Sequence, residues 1–194
     1  MRKRHSKEAL IVSGMNLIRR QGYHHTGIND ILKAAQIPKG SFYNFFESKQ
    51  MFGEAVIKAY GDQQVAFLKG VLDHKRESPL KRIETLYRTI NRYHESEDFR
   101  HGCLVNNISI EVAGVNDKLA EVLDTQFRRW VDIIAACIAE GQQAGEIRDD
   151  ISAHQLAHLI HTNLYGAHAR MKAARNREAL DMALEMNLQY IQTV

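Results

Sequence analysis

Any chemistry this chain performs must come from a few side chains. The segment FRHGCLVNNISIEVAG, residues 99–114, sets Cys103 behind Gly102 and close to Arg100 and His101. A helix opening at a cysteine and positive charge beside it both favour the thiolate, which is the reactive form. Cys103 is therefore a candidate sensor of electrophiles or oxidants, and the alternative is a small buried side chain at a helix end. It forms no nucleophile–base pair with His101, because residues two apart do not face each other on a helix. Cys137 follows Trp130, Val131 and Ile134 on an apolar face and reads as core. His154, His158 and His161 fall at i, i+4 and i+7, with His168 two turns further on. Imidazoles so spaced could hold zinc or nickel, but no cysteine or carboxylate accompanies them. A polar stripe at a pairing surface or pocket fits better, and no metal or other cofactor is expected. There is no phosphate-cradling glycine loop, Gly-x-Ser-x-Gly elbow or His-Glu-x-x-His, so the expectation is against an enzyme.

A different chemistry is written in IPKGSFYNFFESK, residues 37–49. A buried helix wants leucines, whereas this stretch carries small polar groups and aromatics. If it faces outward, Lys39, Ser41, Tyr43 and Asn44 meet phosphates and base edges while Phe42, Phe45 and Phe46 anchor the segment from behind. Gly40 removes a side chain where backbone must come close to DNA. Charge agrees. Residues 1–50 hold nine Lys/Arg against three acids, a net of +6, while the other 144 residues hold 17 basic against 20 acidic, a net of −3. A basic front on an acidic body points to a polyanion partner for the front alone.

The elements that must position these groups are helices. Period-3.6 patterning recurs along the 194 residues with no alternating strand or Asn-Gly hairpin signal, so an all-α fold of about nine helices is expected. The first spans about 6–20, with Gly22 as its stop; a short one carries Ile28, Ile31 and Leu32; another spans about 39–46 behind Pro38. Ser48 caps a long helix from Lys49 past Leu72. Further helices are expected over 80–94, 103–112, 117–141, 152–170 and within 176–190, with Ser152 and Gln155 forming a capping box. No apolar run reaches the ~18–20 residues that span a bilayer, so no membrane partner and a cytoplasmic location are expected.

Two short helices joined by a three-residue turn make a helix-turn-helix. The run TGINDILKAAQIPKGSFYNFFESKQMF, residues 26–52, resembles the TetR/AcrR family of bacterial one-component regulators, whose pattern is Thr, Ile-x-x-x-Ala, Lys-Gly-x-x-Tyr-x-x-Phe-x-x-Lys. The resemblance implies a DNA-binding domain over 1–48 and a ligand-binding and dimerisation domain over 49–194. It carries DNA contacts onto Thr26, Lys39, Ser41, Tyr43, Asn44 and Lys49, with Arg2, Lys3 and Arg4 as an arm reaching the DNA backbone or minor groove. One departure is Gln36, where many relatives have glycine, so Gln36 is called on to adopt a left-handed backbone.

ILKAAQIPKGSFYNFF and the Gly102-Cys103-Leu104 element resemble the NemR/AcuR-like branch, whose members respond to reactive carbonyl or unsaturated acyl compounds or to oxidants. There a late lysine accompanies the cysteine, and Lys172 is the match. The resemblance places a small-molecule pocket among the later helices, with Phe67, Tyr87, Tyr93, Asn106, Asn107, Glu111, Trp130 and Tyr165 as its candidates, since an apolar cavity needs a few directing polar groups. It also implies repression of an operator by a homodimer, relieved by a small-molecule inducer. Apolar stripes at Leu119, Val122, Leu123, Trp130, Ile134 and Ile138, and at Leu156, Leu159, Ile160, Leu164 and Ala167, supply either the pairing surface or the core. A helical protein-interaction module explains the helices but not the basic front.

Overall fold

A computed structural model describes residues 7–193; Arg2, Lys3 and Arg4 lie outside them. Eight α-helices follow in order: α1 Lys7–Gln21, α2 Ile28–Ala35, α3 Lys49–Leu72, α4 Pro79–Ser96, α5 Leu104–Val112, α6 Asp117–Gln143, α7 Ala153–Ala174 and α8 Glu178–Ile191. A 3-10 turn over Lys39–Ser41 stands between α2 and α3. Among the described residues there is no strand, only an isolated bridge between Ile147 and Gln192.

The helix ends follow from local chemistry. Gly22 stops α1 in a left-handed conformation (φ +85°) that costs glycine nothing. Ser48 accepts the Met51 N–H ahead of α3, and Ser152 with Gln155 makes the capping box of α7. Pro79 occupies the first turn of α4 behind Ser78.

The expected helix over 39–46 is the main departure. Beyond Ser41 the chain continues as a single turn closed by Phe42, whose carbonyl accepts from Phe45 and Phe46 at 2.9 and 3.0 Å. Gly40 and Ser41 are poor helix formers, and buried rings rather than a hydrogen-bond ladder fix the segment.

The chain forms two compact units. One runs to Asp62 and takes in Leu104–Gln126; the other comprises Gln63–Cys103 and the chain from Phe127 onward. In the first, α1 packs on α2 and on α5. Its core includes Leu10, Ile31, Phe42, Phe52, Leu104 and Ile108, all fully buried. In the second, α8 packs on α7 and α4, and Ile83, Leu86, Ile138, Leu156 and Ile160 are among its buried residues. The stripes on α6 and α7 are thus core of the chain, except that Val122 is half-buried and Leu159 is exposed.

Candidate nucleic-acid interface and ligand site

The turn between α2 and the 3-10 segment is set by Gln36, which takes the left-handed conformation expected of it (φ 55°, ψ 43°). The N–H of Ile37 then reaches back to the Leu32 carbonyl at 2.9 Å, and Ile37 is buried. Pro38 restarts the chain at φ −60°. Behind the segment, Phe42, Phe46 and Phe52 form a cluster of rings with centroids 5.2–5.6 Å apart, all buried. Gly14 of α1 makes room for it, since a β-carbon there would stand 2.1 Å from Phe52 Cζ. Phe45 is only half-buried. On the outer side Tyr43 is 64 % exposed, its ring set edge-on against Phe42 at 5.5 Å, and Asn44 is exposed beside it. Ser41 is half-buried. A side chain at Gly40 would meet nothing within 4 Å, so no internal contact requires glycine there.

Of two further expected DNA contacts, one is taken into the interior and the other also has a partner within the chain. Thr26 is fully buried and its hydroxyl donates to the Gly22 carbonyl at 2.6 Å, so it locks the turn between α1 and α2 rather than presenting a surface. Lys49 does open α3, but its ammonium donates to the His24 carbonyl at 3.2 Å and lies 4.7 Å over the Tyr23 ring. Burial lowers its pKa, opposed by the charge of Glu111. The Tyr23 hydroxyl donates in turn to the Lys49 carbonyl, and burial with Glu54 nearby pushes its pKa up to about 12.

Glu111 was expected in a ligand pocket, and the structure corrects this. Its carboxylate accepts the backbone N–H groups of Tyr23 and His24 at 3.1 and 2.9 Å, clasping α5 to the turn that precedes α2. The sequence alone gives no sign that a residue 88 positions away serves this turn.

The other pocket candidates separate. Asn106 and Asn107 are half-buried on α5, in the first unit; Phe67 is half-buried on α3. Tyr93 is 44 % exposed, a surface residue on the wrong face of α4. Tyr87 and Trp130 are buried, and Tyr165 is half-buried. Phe127, Trp130, His161 and Tyr165 share edge-on and tilted ring contacts, with the Tyr165 hydroxyl 2.7 Å from His161 Nε2. Sequence reasoning missed Asn91 and His94, which share the buried face of α4 with Tyr87 at i+4 and i+7. His168 of α7 packs on His94 with ring centroids 4.4 Å apart. Burial takes the pKa of His161 down to about 4 and that of His168 to about 3, so both rings are neutral.

The histidine row of α7 is therefore divided. His154 and His158 are exposed, with His154 Nε2 3.1 Å from Asp132, whereas His161 and His168 point inward. Cys103, directly ahead of α5, and Cys137 are both buried, and no disulfide joins them. Cys137 donates to the Pro79 carbonyl at 3.6 Å, and burial raises its pKa to about 11, as a core thiol requires. Lys172 is half-buried, and its charge acts on His168. Exposed apolar side chains collect instead on α8, where Met182, Met186 and Tyr190 recur every four residues.

Comparison with known proteins agrees with this geometry. Residues 6–56 match the family model described as bacterial regulatory proteins, tetR family, and residues 79–186 that of the tetracyclin repressor-like C-terminal domain. The chain is 34 % identical over 178 residues to the transcriptional repressor DhaR of Mycobacterium sp. strain GP1, covering 92 % of this chain and 88 % of that protein. It is 34 % identical over 172 residues to the transcriptional regulator AcuR of Cereibacter sphaeroides, covering 85 % and 75 %. The crystal structure of reduced NemR from Escherichia coli superposes with a TM-score of 0.86 at 26 % identity, covering 96 % of this chain and 97 % of that one.

Proposed function

We propose that this chain, which belongs to the tetR family of bacterial regulatory proteins, is a homodimeric repressor that holds a near-palindromic operator until a small molecule releases it. As a family member it is a DNA-binding transcription regulator with a helix-turn-helix. Repression, pairing, release and action in the bacterial cytoplasm are the parts proposed. No helix among the described residues is long and apolar enough to cross a membrane. No catalytic step belongs to this reading.

The observation that carries it is the outward platform of Tyr43 and Asn44 on a buried bed of Phe42, Phe46 and Phe52. Lys39, Gly40 and Ser41 precede it, and Lys49 and the basic arm of Arg2, Lys3 and Arg4 add phosphate contacts. One such platform reads few bases, so two copies are needed, with half-sites about 34 Å or a multiple apart. The exposed Met182, Met186 and Tyr190 of α8 and Leu159 of α7 suit a four-helix pairing surface. DhaR and NemR are named as repressors, which supports that direction here. The ligand must favour a dimer whose two platforms are wrongly spaced, because only a difference in affinity between states can release DNA.

A second reading makes modification of Cys103, with Lys172, the trigger. Its support is position: Cys103 directly precedes α5, the helix whose Glu111 clasps the turn before α2.

Gel shift with the chain's own promoter fragment at two salt concentrations tests the regulator. Tight binding that weakens steeply with salt is expected, and no binding in low salt refutes it. Release by quinones, aldehydes, acrylate-like acids or hypochlorite, lost in Cys103→Ser, supports the second reading; equal release from that variant excludes it.

A further inference from the structure

The second unit contains buried polar atoms that the fold itself does not use. On α4 the Tyr87 hydroxyl and the Asn91 Oδ1 have no hydrogen-bond partner, and on α7 neither ring nitrogen of His168 has one. All three residues are at least nine-tenths buried, at 3, 3 and 4 % exposure. Leaving a buried donor or acceptor unpaired costs roughly 1–3 kcal/mol each, so a fold rarely keeps several together without a use for them. The amide of Asn91 is oriented without ambiguity. Its Nδ2 donates to the Asp181 carboxylate at 3.3 Å, and a carboxylate only accepts, so the oxygen is the side turned to the interior.

We infer that Tyr87, Asn91 and His168 form the binding site of a small uncharged molecule carrying a hydrogen-bond donor beside an acceptor, such as a primary amide or a hydroxy-ketone. The inference rests on the reading that a small molecule releases the operator, and names the chemistry of that ligand. Asn91 Oδ1 accepts only and must receive an N–H or O–H. Neutral His168 offers one donor and one acceptor, and Tyr87 can serve either way. A carboxylate has no hydrogen to give Asn91. It would also meet a His168 that burial above all holds unprotonated, although the charge of half-buried Lys172 acts on that ring. Arg82, the cation buried among the described residues, has its charge offset by Glu140 at 2.5 Å and donates to the Leu72 carbonyl, with its Nε left unpaired. An uncharged ligand brings no charge needing compensation in this low-dielectric setting. His94, set edge-on against His168, supplies an edge of the site, and Tyr165 of α7, 6.1 Å from His168, continues to Phe127 and Trp130 of α6.

The test pairs amides with carboxylates of the same shape: butyramide, benzamide and nicotinamide against butyrate, benzoate and nicotinate. Thermal shift and operator release are measured on the full chain, its Tyr87→Phe variant and its His168→Phe variant. Without ligand, Tyr87→Phe is expected to melt at the same temperature or higher, since it removes an unpaired buried hydroxyl. At least one amide is expected to raise the melting temperature of the parent at concentrations at least tenfold below its carboxylate, and both variants lose that shift. A lower melting temperature for Tyr87→Phe overturns the inference, because the hydroxyl is then part of the fold's own bonding. So do carboxylates that match or exceed the amides, and amides that shift nothing. Operator binding in the absence of ligand is scored separately: its failure refutes the repressor reading, while the thermal shifts still decide the site.

Discussion

Replacing Glu111 with alanine removes the clasp between α5 and the turn that leads into α2. Two backbone donors lose their acceptor, the N–H of Tyr23 at 3.1 Å and that of His24 at 2.9 Å. Hydrogen bonds to a charged group are worth roughly 1.5–3 kcal/mol each when buried, but the His24 side is exposed and water can replace it. The net loss should be about 2 kcal/mol, which for a chain of this size lowers the melting temperature by roughly 4–8 °C. Glu111→Gln keeps one acceptor oxygen without its charge and should lose about half as much. The same turn orients Lys49, whose ammonium is bound to the His24 carbonyl, and leads by way of Thr26 into α2, so operator affinity should fall along with stability. Calorimetry on parent, Glu111→Ala and Glu111→Gln, with operator titrations at one fixed salt concentration, measures both effects. An unchanged melting temperature and unchanged operator affinity in Glu111→Ala would refute the argument that this carboxylate holds the turn.

Three other outcomes are expected. Gly14→Ala sets a methyl against Phe52, 2.1 Å from its Cζ, and should cost about 1–3 kcal/mol by overpacking, read as a lower urea midpoint at unchanged slope. His161 and His168 have folded pKa values of about 4 and about 3 against 6.5 unfolded, so below pH 6.5 the unfolded chain binds protons that the folded chain refuses. Stability is therefore fully present above that pH and falls as pH drops toward 4, by about 1.4 kcal/mol per pH unit for each histidine; His168→Phe should halve the slope measured between pH 6 and 5. Lys49→Ala should weaken operator binding similarly for all sequences and reduce the slope of log Kd against log salt by about 1, as loss of a single phosphate contact requires.

Much of the fold can be read from local sequence because its signals are local. Gly22, Ser48, Pro79 and the Ser152–Gln155 pair end or begin helices through contacts within four residues, and all of them do so in the structure. The left-handed Gln36 belongs to the same class. The segment over 39–46 shows the limit: aromatic spacing gave its two faces, but Gly40 and Ser41 leave it a 3-10 turn and one further loop of chain rather than a regular helix. Burial on α6 and α7 could not be assigned to core or to pairing from periodicity, because an apolar stripe looks the same whether its cover is the chain itself or a second copy.

What the sequence determined by itself was the all-helical class, the positions of most helix ends, the family pattern over residues 26–52 and the outward chemistry of Tyr43 and Asn44. These rest on side-chain periodicity and on capping within a few residues. Tertiary structure alone decided that Glu111 serves the turn at Tyr23 and His24, that Thr26 is buried, and that Tyr87, Asn91, His94 and His168 turn polar groups into the interior. Those contacts join residues tens of positions apart, and which of them meet depends on how the helices pack, a property that no local pattern encodes.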